Sequence, residues 1–295
     1  MDNDISWELY RSYLSVLQEG SLSAAARALG VAQPTVGRHI DMLERQLGVS
    51  LFTRSQQGLL ATEAALALKP FAESMRANAA ALIRAAEAQG CGVRGTVRIS
   101  ASEVVGAQVL PPVIAGLQRL YPELNVELVL TNRVQDLLHR EADIAVRMVA
   151  PEQGSLIARR IGDIELGLHA HRRYLDARGA PQTLEQLTDH ALIGFDQETP
   201  FLRNARHWLP QWRREHFSLR TDSDLAQLAM IRAGVGIGVC QVRVAQRDAE
   251  LVRVLAPLFE PRLTVWLTMH EDLRNSPRCK VTFEALRSGL ERYVG

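Results

Sequence analysis

Lysine is almost missing from this 295-residue chain: two of its 34 basic residues, Lys69 and Lys280, are lysines and the rest are arginines. Arginine suits bidentate contacts to phosphate and guanine, but it is also common in arginine-biased compositions, so the bias alone carries no functional weight. Cysteine is scarce too. Cys91, Cys240 and Cys279 are odd in number, far apart and without CxxC or Cys/His ligand spacing, which argues against a disulfide framework or a structural zinc site and for reduced, mostly buried thiols. Aromatic residues make up 5%, and no stretch approaches the roughly 18 apolar residues that span a bilayer, so no membrane association is expected. The acidic start, Met1 to Asp4, is the opposite of a signal peptide's basic region, and the expected location is the cytoplasm. A net charge of +1 argues neither for nor against nucleic acid, because local placement matters more than the sum.

What is present is a folded chain. Hydrophobic residues at 47% and charged residues at 23% exclude extensive disorder, and the length predicts two or three packed domains. Leu9, Tyr10, Tyr13, Leu14 and Leu17 recur at helical spacing and end at Gly20. Ser21 is placed as the N-cap of a short alanine-dense helix that Gly30 closes. Gln33-Pro34 then opens a third helix, with proline in the first turn where its missing N–H costs nothing. There Val36, Ile40, Leu43 and Leu47 form the buried stripe, and Thr35, Arg38 and His39 lie on the other face. Two short helices joined by a glycine turn, the second polar near its start, make a helix-turn-helix unit.

The residues Ser21 to Leu29, Gln33-Pro34-Thr35-Val36, Leu43-Glu44, Leu47-Gly48 and Leu51-Phe52-Thr53-Arg54 resemble the N-terminal domain of LysR-type transcriptional regulators. The resemblance implies a winged helix-turn-helix on double-stranded DNA. Gln33, Pro34, Thr35 and Arg38, with His39 beside them, would sit at the end of the recognition helix that enters the major groove, and Arg54 would contact phosphate or the minor groove. Arginine can pair two acceptors of guanine, glutamine can pair adenine, and threonine can touch phosphate or a thymine methyl. The other reading of Arg38 and His39 is a solvated helix face. Ala32 and Gly37 stand where the family often has serines, which predicts a third helix without a side-chain cap and weakened by up to ~1 kcal/mol.

Residues 1–60 hold five arginines against six acids, a net charge of −1. Such a domain binds DNA poorly alone, since phosphate neutralisation supplies most non-specific affinity, and pairing copies on one site is the remedy. From Thr62 the chain is helix-prone to about Ala88, with Ala64, Leu68, Phe71, Met75, Ala79, Leu82 and Ala86 spaced as a coiled-coil-like seam and Pro70 expected to kink or break it. The resemblance makes this the dimerising linker helix. Residues 89–96 are glycine-rich and read as a hinge. The implied domains are therefore 1–61, 62–88, 89–96 and 97–295.

Beyond the hinge, strands alternate with helices: 97–100, 109–120, 126–130, 134–140, 142–147, then 165–170, 184–188, 191–195, 222–233, 236–240, 262–270 and 277–293. The resemblance implies a two-lobed α/β domain similar to periplasmic binding proteins, lobe I over about 97–164 and 270–295 and lobe II over about 165–269. A small effector would sit between the lobes, against Ser100, Ser102, Thr131, Asn132 and Arg147 from the first and Phe195, Phe201 and Thr221 from the second. Ser100 and Ser102 lie where the family often has polar residues and a helix N-terminus facing the effector, so the resemblance implies a geometry suited to an anion.

Other chemistries find no support. Gly234-Val-Gly-Ile-Gly238 follows a helix and leads into a strand, the reverse of a nucleotide-binding turn. His169 and His171 share one face of a strand but have no third metal ligand spaced to join them. No catalytic signature rises above chance, so an enzyme, a metal site and a cofactor other than the effector are not expected. The expected function is a sequence-specific, metabolite-sensing transcriptional regulator, a homodimer or homotetramer that also contacts RNA polymerase. The alternative is a small-molecule-binding protein whose helix-turn-helix segment only mediates association.

Overall fold

In a computed structural model of the chain, the described residues are 5–55, 58–87, 92–132, 142–151, 156–198, 202–203 and 209–295. They fall into two compact units, the first ending at Ala86 and the second beginning at Glu87.

The first unit opens with helices α1 (Trp7–Glu19), α2 (Leu22–Leu29) and α3 (Gln33–Leu47). Ser21 caps α2 by accepting from the Ala24 N–H at 3.2 Å, and α3 starts at Ala32 with no side-chain cap. Leu9, Tyr13, Leu14, Ala25, Ala26, Val36, Ile40 and Leu43 pack into one core. A two-stranded wing follows, β1 (Phe52–Ser55) and β2 (Gly58–Ala61), paired antiparallel. Glu44 of α3 anchors it, its carboxylate accepting from the N–H groups of Leu51 at 2.6 Å and Phe52 at 3.2 Å. Gly58 lies at φ 122°, and a Cβ there would stand 2.9 Å from the Gly20 carbonyl oxygen, so only glycine lets the wing close on the α1–α2 turn.

Helix α4 (Glu63–Glu87) starts behind Thr62, whose hydroxyl accepts from the Ala65 N–H at 3.2 Å. It runs through Pro70 as one helix, so of the expected kink or break the break does not occur. Leu66 and Pro70 are both exposed, so the carbonyl that proline leaves without a helical donor faces water. The expected seam is also divided. Leu68 packs on the core of the first unit, whereas Phe71 is 70% exposed and Leu82 69%, with Met75 and Ile83 exposed beside them.

The second unit is built on a nine-stranded mixed sheet. Its first lobe holds β3 (Gly95–Ala101), α5 (Glu103–Gln108), α6 (Leu110–Leu120), β4 (Leu124–Leu130) and β5 (Ile144–Arg147). β3 pairs parallel with β4 and β5, and the buried Asp143 carboxylate fastens β5 to β3 by accepting from the Arg98 N–H at 2.8 Å.

β6 (Leu156–His171) then crosses between the lobes. The second lobe follows with α7 (Arg172–Arg178), β7 (Leu192–Gly194), β8 (Phe217–Arg220), α8 (Asp224–Arg232), β9 (Ile237–Gln241), α9 (Val242–Ala245) and β10 (Leu251–Val254). β11 (Arg262–His270) and α10 (Pro277–Val294) return to the first. Residues 156–165 of β6 face β11, while residues 166–171 face β9 and β10, all antiparallel. Trp266 to Met269 already pair with β5, so the chain re-enters the first lobe before residue 270, the boundary the resemblance implied. Leu286 and Leu290 of α10 are buried against this sheet, and Gly289 lets α10 approach Val113 of α6 closely. The expected 134–140 helix lies outside the described residues.

Candidate DNA-reading face and effector cleft

The burial of Val36, Ile40 and Leu43 sets the orientation of α3 and turns Gln33, Pro34 and Arg38 outward, with Thr35 half-buried beside them. These four residues of the expected reading face therefore share the first turns of one helix. His39 differs. Its Nδ1 lies 2.7 Å from the hydroxyl of Ser12, a buried residue of α1, so the ring is held against the neighbouring helix instead of standing free. Arg54 lies in β1 of the wing.

In the second unit the expected effector residues separate into distinct environments. Ser100 is fully buried, and its hydroxyl accepts from an Arg147 guanidinium N–H at 2.5 Å, so the two form one pair at the ends of β3 and β5. Arg147 also donates to the Val146 carbonyl at 2.9 Å. Thr131 continues the β3–β4 ladder, donating its N–H to the Ala101 carbonyl at 2.9 Å. Phe195 is half-buried against the core of the second lobe. Phe201 lies outside the described residues.

Asn132 and Thr221 are brought into one hydrogen-bonded chain across the lobes. Asn132 accepts from the Glu103 N–H at 3.2 Å and donates to the Asp224 carboxylate at 2.8 Å. The Glu103 carboxylate accepts from the Ser223 hydroxyl at 2.8 Å and from the Leu225 N–H at 3.3 Å, so a first-lobe acid caps α8 of the second lobe. Thr221 accepts from the Ser223 N–H at 3.3 Å. Ser102 precedes α5 and makes no side-chain cap.

Glu103, Ser223 and Asp224 are the cleft residues that sequence reasoning missed. Ser223-Asp224 before an apolar run is an N-cap signature, so that half of the contact had a local signal, whereas the approach of Glu103 had none. Their presence corrects one expectation. With Glu103 in the first turn of α5 and Asp224 facing it, this end of the cleft is acidic and does not suit an anion. Burial first, and then the Glu103 charge, push the Asp224 carboxyl up to about 6, against the lowering hydrogen bond from Asn132.

The features weighed for other chemistries have structural places. His169 is buried with its Nδ1 3.3 Å from Cys240 Sγ, and burial pushes that thiol up to about 12, far from a reactive thiolate. His171 caps α7 by accepting from the Arg173 N–H at 3.1 Å. Gly236 packs directly on the Ala191 carbonyl. Cys240 and Cys279 are buried thiols, and Cys91 lies outside the described residues. Among the described residues no helix is long and apolar enough to cross a membrane.

A three-helix head with a wing is followed along the chain by a long helix and a two-lobed α/β domain. Residues 7–66 match the family described as bacterial regulatory helix-turn-helix protein, lysR family, residues 90–291 match the LysR substrate binding domain, and the chain belongs to the LysR family. It is 29% identical over 199 residues to an HTH-type transcriptional regulator of Xanthomonas campestris, a match covering 66% of this chain and 57% of that protein. With the HTH-type transcriptional regulator YhjC of Escherichia coli it shares 26% over 294 residues, 96% of this chain and 97% of that one. The fold is shared with full-length CbnR solved with its target DNA, at 19% identity and a TM-score of 0.65, over 96% of this chain and 99% of that one.

Proposed function

We propose that this protein reads a partly palindromic operator through Gln33, Pro34, Thr35 and Arg38, with Arg54 on the backbone, and that a small metabolite held between its lobes controls the readout. The observation that carries the reading is the exposure of Gln33, Pro34 and Arg38 on a helix whose opposite stripe is buried. Residues 1–61 form the reading head, 62–88 the dimerisation helix, 89–96 the hinge and 97–295 the effector domain. The exposed Phe71, Met75, Leu82 and Ile83 support pairing through the helix, and pairing offsets the −1 charge of each head. Homotetramers and contact with RNA polymerase belong to the same proposal. So do a cytoplasmic location, no enzymatic activity and no cofactor beyond the effector. The effector acts by binding one lobe arrangement better than the other, which shifts the spacing of paired heads on DNA.

The test is selection of genomic fragments by the purified protein with and without a cell extract of small metabolites, followed by footprinting. The expected result is a dyad-symmetric site whose footprint length or bend changes with the extract. A site with an unchanged footprint would sink the lobe mechanism. No enriched site in either condition would leave the small-molecule-binding alternative.

A further inference from the structure

Helix α5 has two working ends. Glu103 at its start meets α8, and Gln108 at its end meets two arginines of the second lobe. Its carbonyl accepts from Arg247 at 2.5 Å and its side chain from Arg232 at 3.5 Å. Beside this second end opens a groove of about 500 Å3 between α6, α9 and the last turn of α10. Three arginines line it: Arg243 and Arg247 from the second lobe and Arg292 from the first.

Among the described residues no carboxylate lines the groove. The acids of the surrounding elements are taken by other arginines. Arg287 holds Glu284 and Glu291 at 2.8 and 2.6 Å, Arg160 holds Asp163 at 2.7 Å, Arg253 holds Glu165 at 2.7 Å and Arg232 lies 3.7 Å from Asp248. Among the described residues Arg243, Arg247 and Arg292 make no ion pair. Arg247 does have neutral partners, the Gln108 carbonyl and the Tyr293 ring, whose centroid is 5.7 Å from the guanidinium carbon. Tyr293 is itself fixed by donating its hydroxyl to Gln241 at 2.6 Å. A cation in the last turn of α10 is favourable for the helix, which accounts for Arg292 being basic but supplies no counter-charge.

Three like charges facing one groove repel one another, and arginine's planar fork matches carboxylate and phosphate oxygens bidentately. We propose that this groove is a second small-molecule site, for a compact anion of more than one negative charge, a phosphate ester or a polycarboxylate. Arg243 and Arg247 grip it from the second lobe and Arg292 from the first, with Gln246 as a neutral donor at the rim. An occupant would tie the lobes together and bear on the contact at the other end of α5. The site is separate from the Asn132–Asp224 cleft and stands whether or not that cleft holds an effector.

The experiment is calorimetric titration of the full chain with pyrophosphate and, separately, citrate, against chloride at matched ionic strength. Hydrogen exchange then maps the protected segment. The expected result is one saturable site per chain for at least one polyanion, protection at residues 242–247 and 289–294, and at least a tenfold loss of affinity in Arg243→Ala/Arg292→Ala. Arg287→Ala, which removes a guanidinium already engaged by Glu284 and Glu291, keeps the wild-type affinity. Which polyanion binds more tightly separates the phosphate source from the carboxylate source. Equal affinity in the double variant, protection on α3 instead, or a response that follows ionic strength alone would overturn the proposal. Circular dichroism of the double variant separates loss of the site from loss of the fold, and Arg243→Lys/Arg292→Lys, which keeps charge and loses the fork, is expected to bind with intermediate affinity.

Discussion

Asn132 Nδ2 donates to Asp224 Oδ2 at 2.8 Å, which ties the residue just beyond β4 of the first lobe to the first residue of α8 in the second. Asp224 is thereby held where burial and the Glu103 carboxylate both oppose its charge. Burial and the Glu103 charge therefore oppose ionisation of Asp224, and the Asn132 hydrogen bond favours it.

This opposition makes stability depend on pH in a defined direction. The folded-state carboxyl titrates at about 6 against an ordinary value of 3.8. Its contribution is therefore unfavourable above about pH 6, shrinks as the pH falls through that value and levels off below 3.8. His169 and His190, whose burial holds them below the usual histidine range, act in the opposite sense, since the folded state resists their protonation. The informative quantity is the difference between wild type and Asp224→Asn in thermal unfolding. The variant is expected to gain roughly 1–3 kcal/mol over wild type near pH 7.5, with the gain gone near pH 4. A gain independent of pH would show that Asp224 does not titrate in this window.

Arg38 is exposed on α3 between the buried Val36 and Ile40. Arg38→Ala is expected to cost roughly 1–3 kcal/mol of operator affinity and to relax base preference at one position, if the guanidinium pairs bidentately with guanine. Fluorescence anisotropy on a panel of single-base operator variants checks both effects. A uniform loss across the panel would assign Arg38 to phosphate.

Gly37 carries no positive φ, and a Cβ there would lie 3.8 Å from Leu22 Cδ1, an ordinary contact. Gly37→Ala is expected to stabilise the N-terminal unit by about 0.5–1 kcal/mol through helix propensity and a less flexible unfolded chain. Denaturant unfolding measures it, and a loss of stability would mean the α2–α3 contact is tighter than this geometry.

Phe71 and Met75 stand exposed one turn apart on α4. Phe71→Glu and Met75→Glu should each place a charge in the paired seam and shift the protein to monomers, with DNA affinity falling in step. Light scattering at micromolar concentration decides, and an intact oligomer in both variants would move the interface off this face of the helix.

Local pattern made part of the architecture legible. The last helix was expected at 277–293 and spans Pro277–Val294, because proline in the first turn and the stripe Phe283, Leu286, Leu290 and Tyr293 agree. β11 was expected and found at 262–270. The first half of β6 was not foreseen, since the adjacent Arg159 and Arg160 break the alternation that marks a half-buried strand. Pro70 does not end the helix, because an exposed proline can sit in a helix whose freed carbonyl meets water.

What the sequence determined by itself was whatever depends on neighbours along the chain: the caps, the helical stripes, the alternation of strands and the spacing of residues that marks the family. Only the tertiary structure decided which charges face one another. Glu103 and Ser223 are 120 positions apart, and the three groove arginines come from two segments of different lobes. Such pairings follow from the crossing of β6 and β11 and the packing of α5, α6, α9 and α10 around them. Periodicity reports which face of an element is buried, but carries no information about what a distant segment places against it.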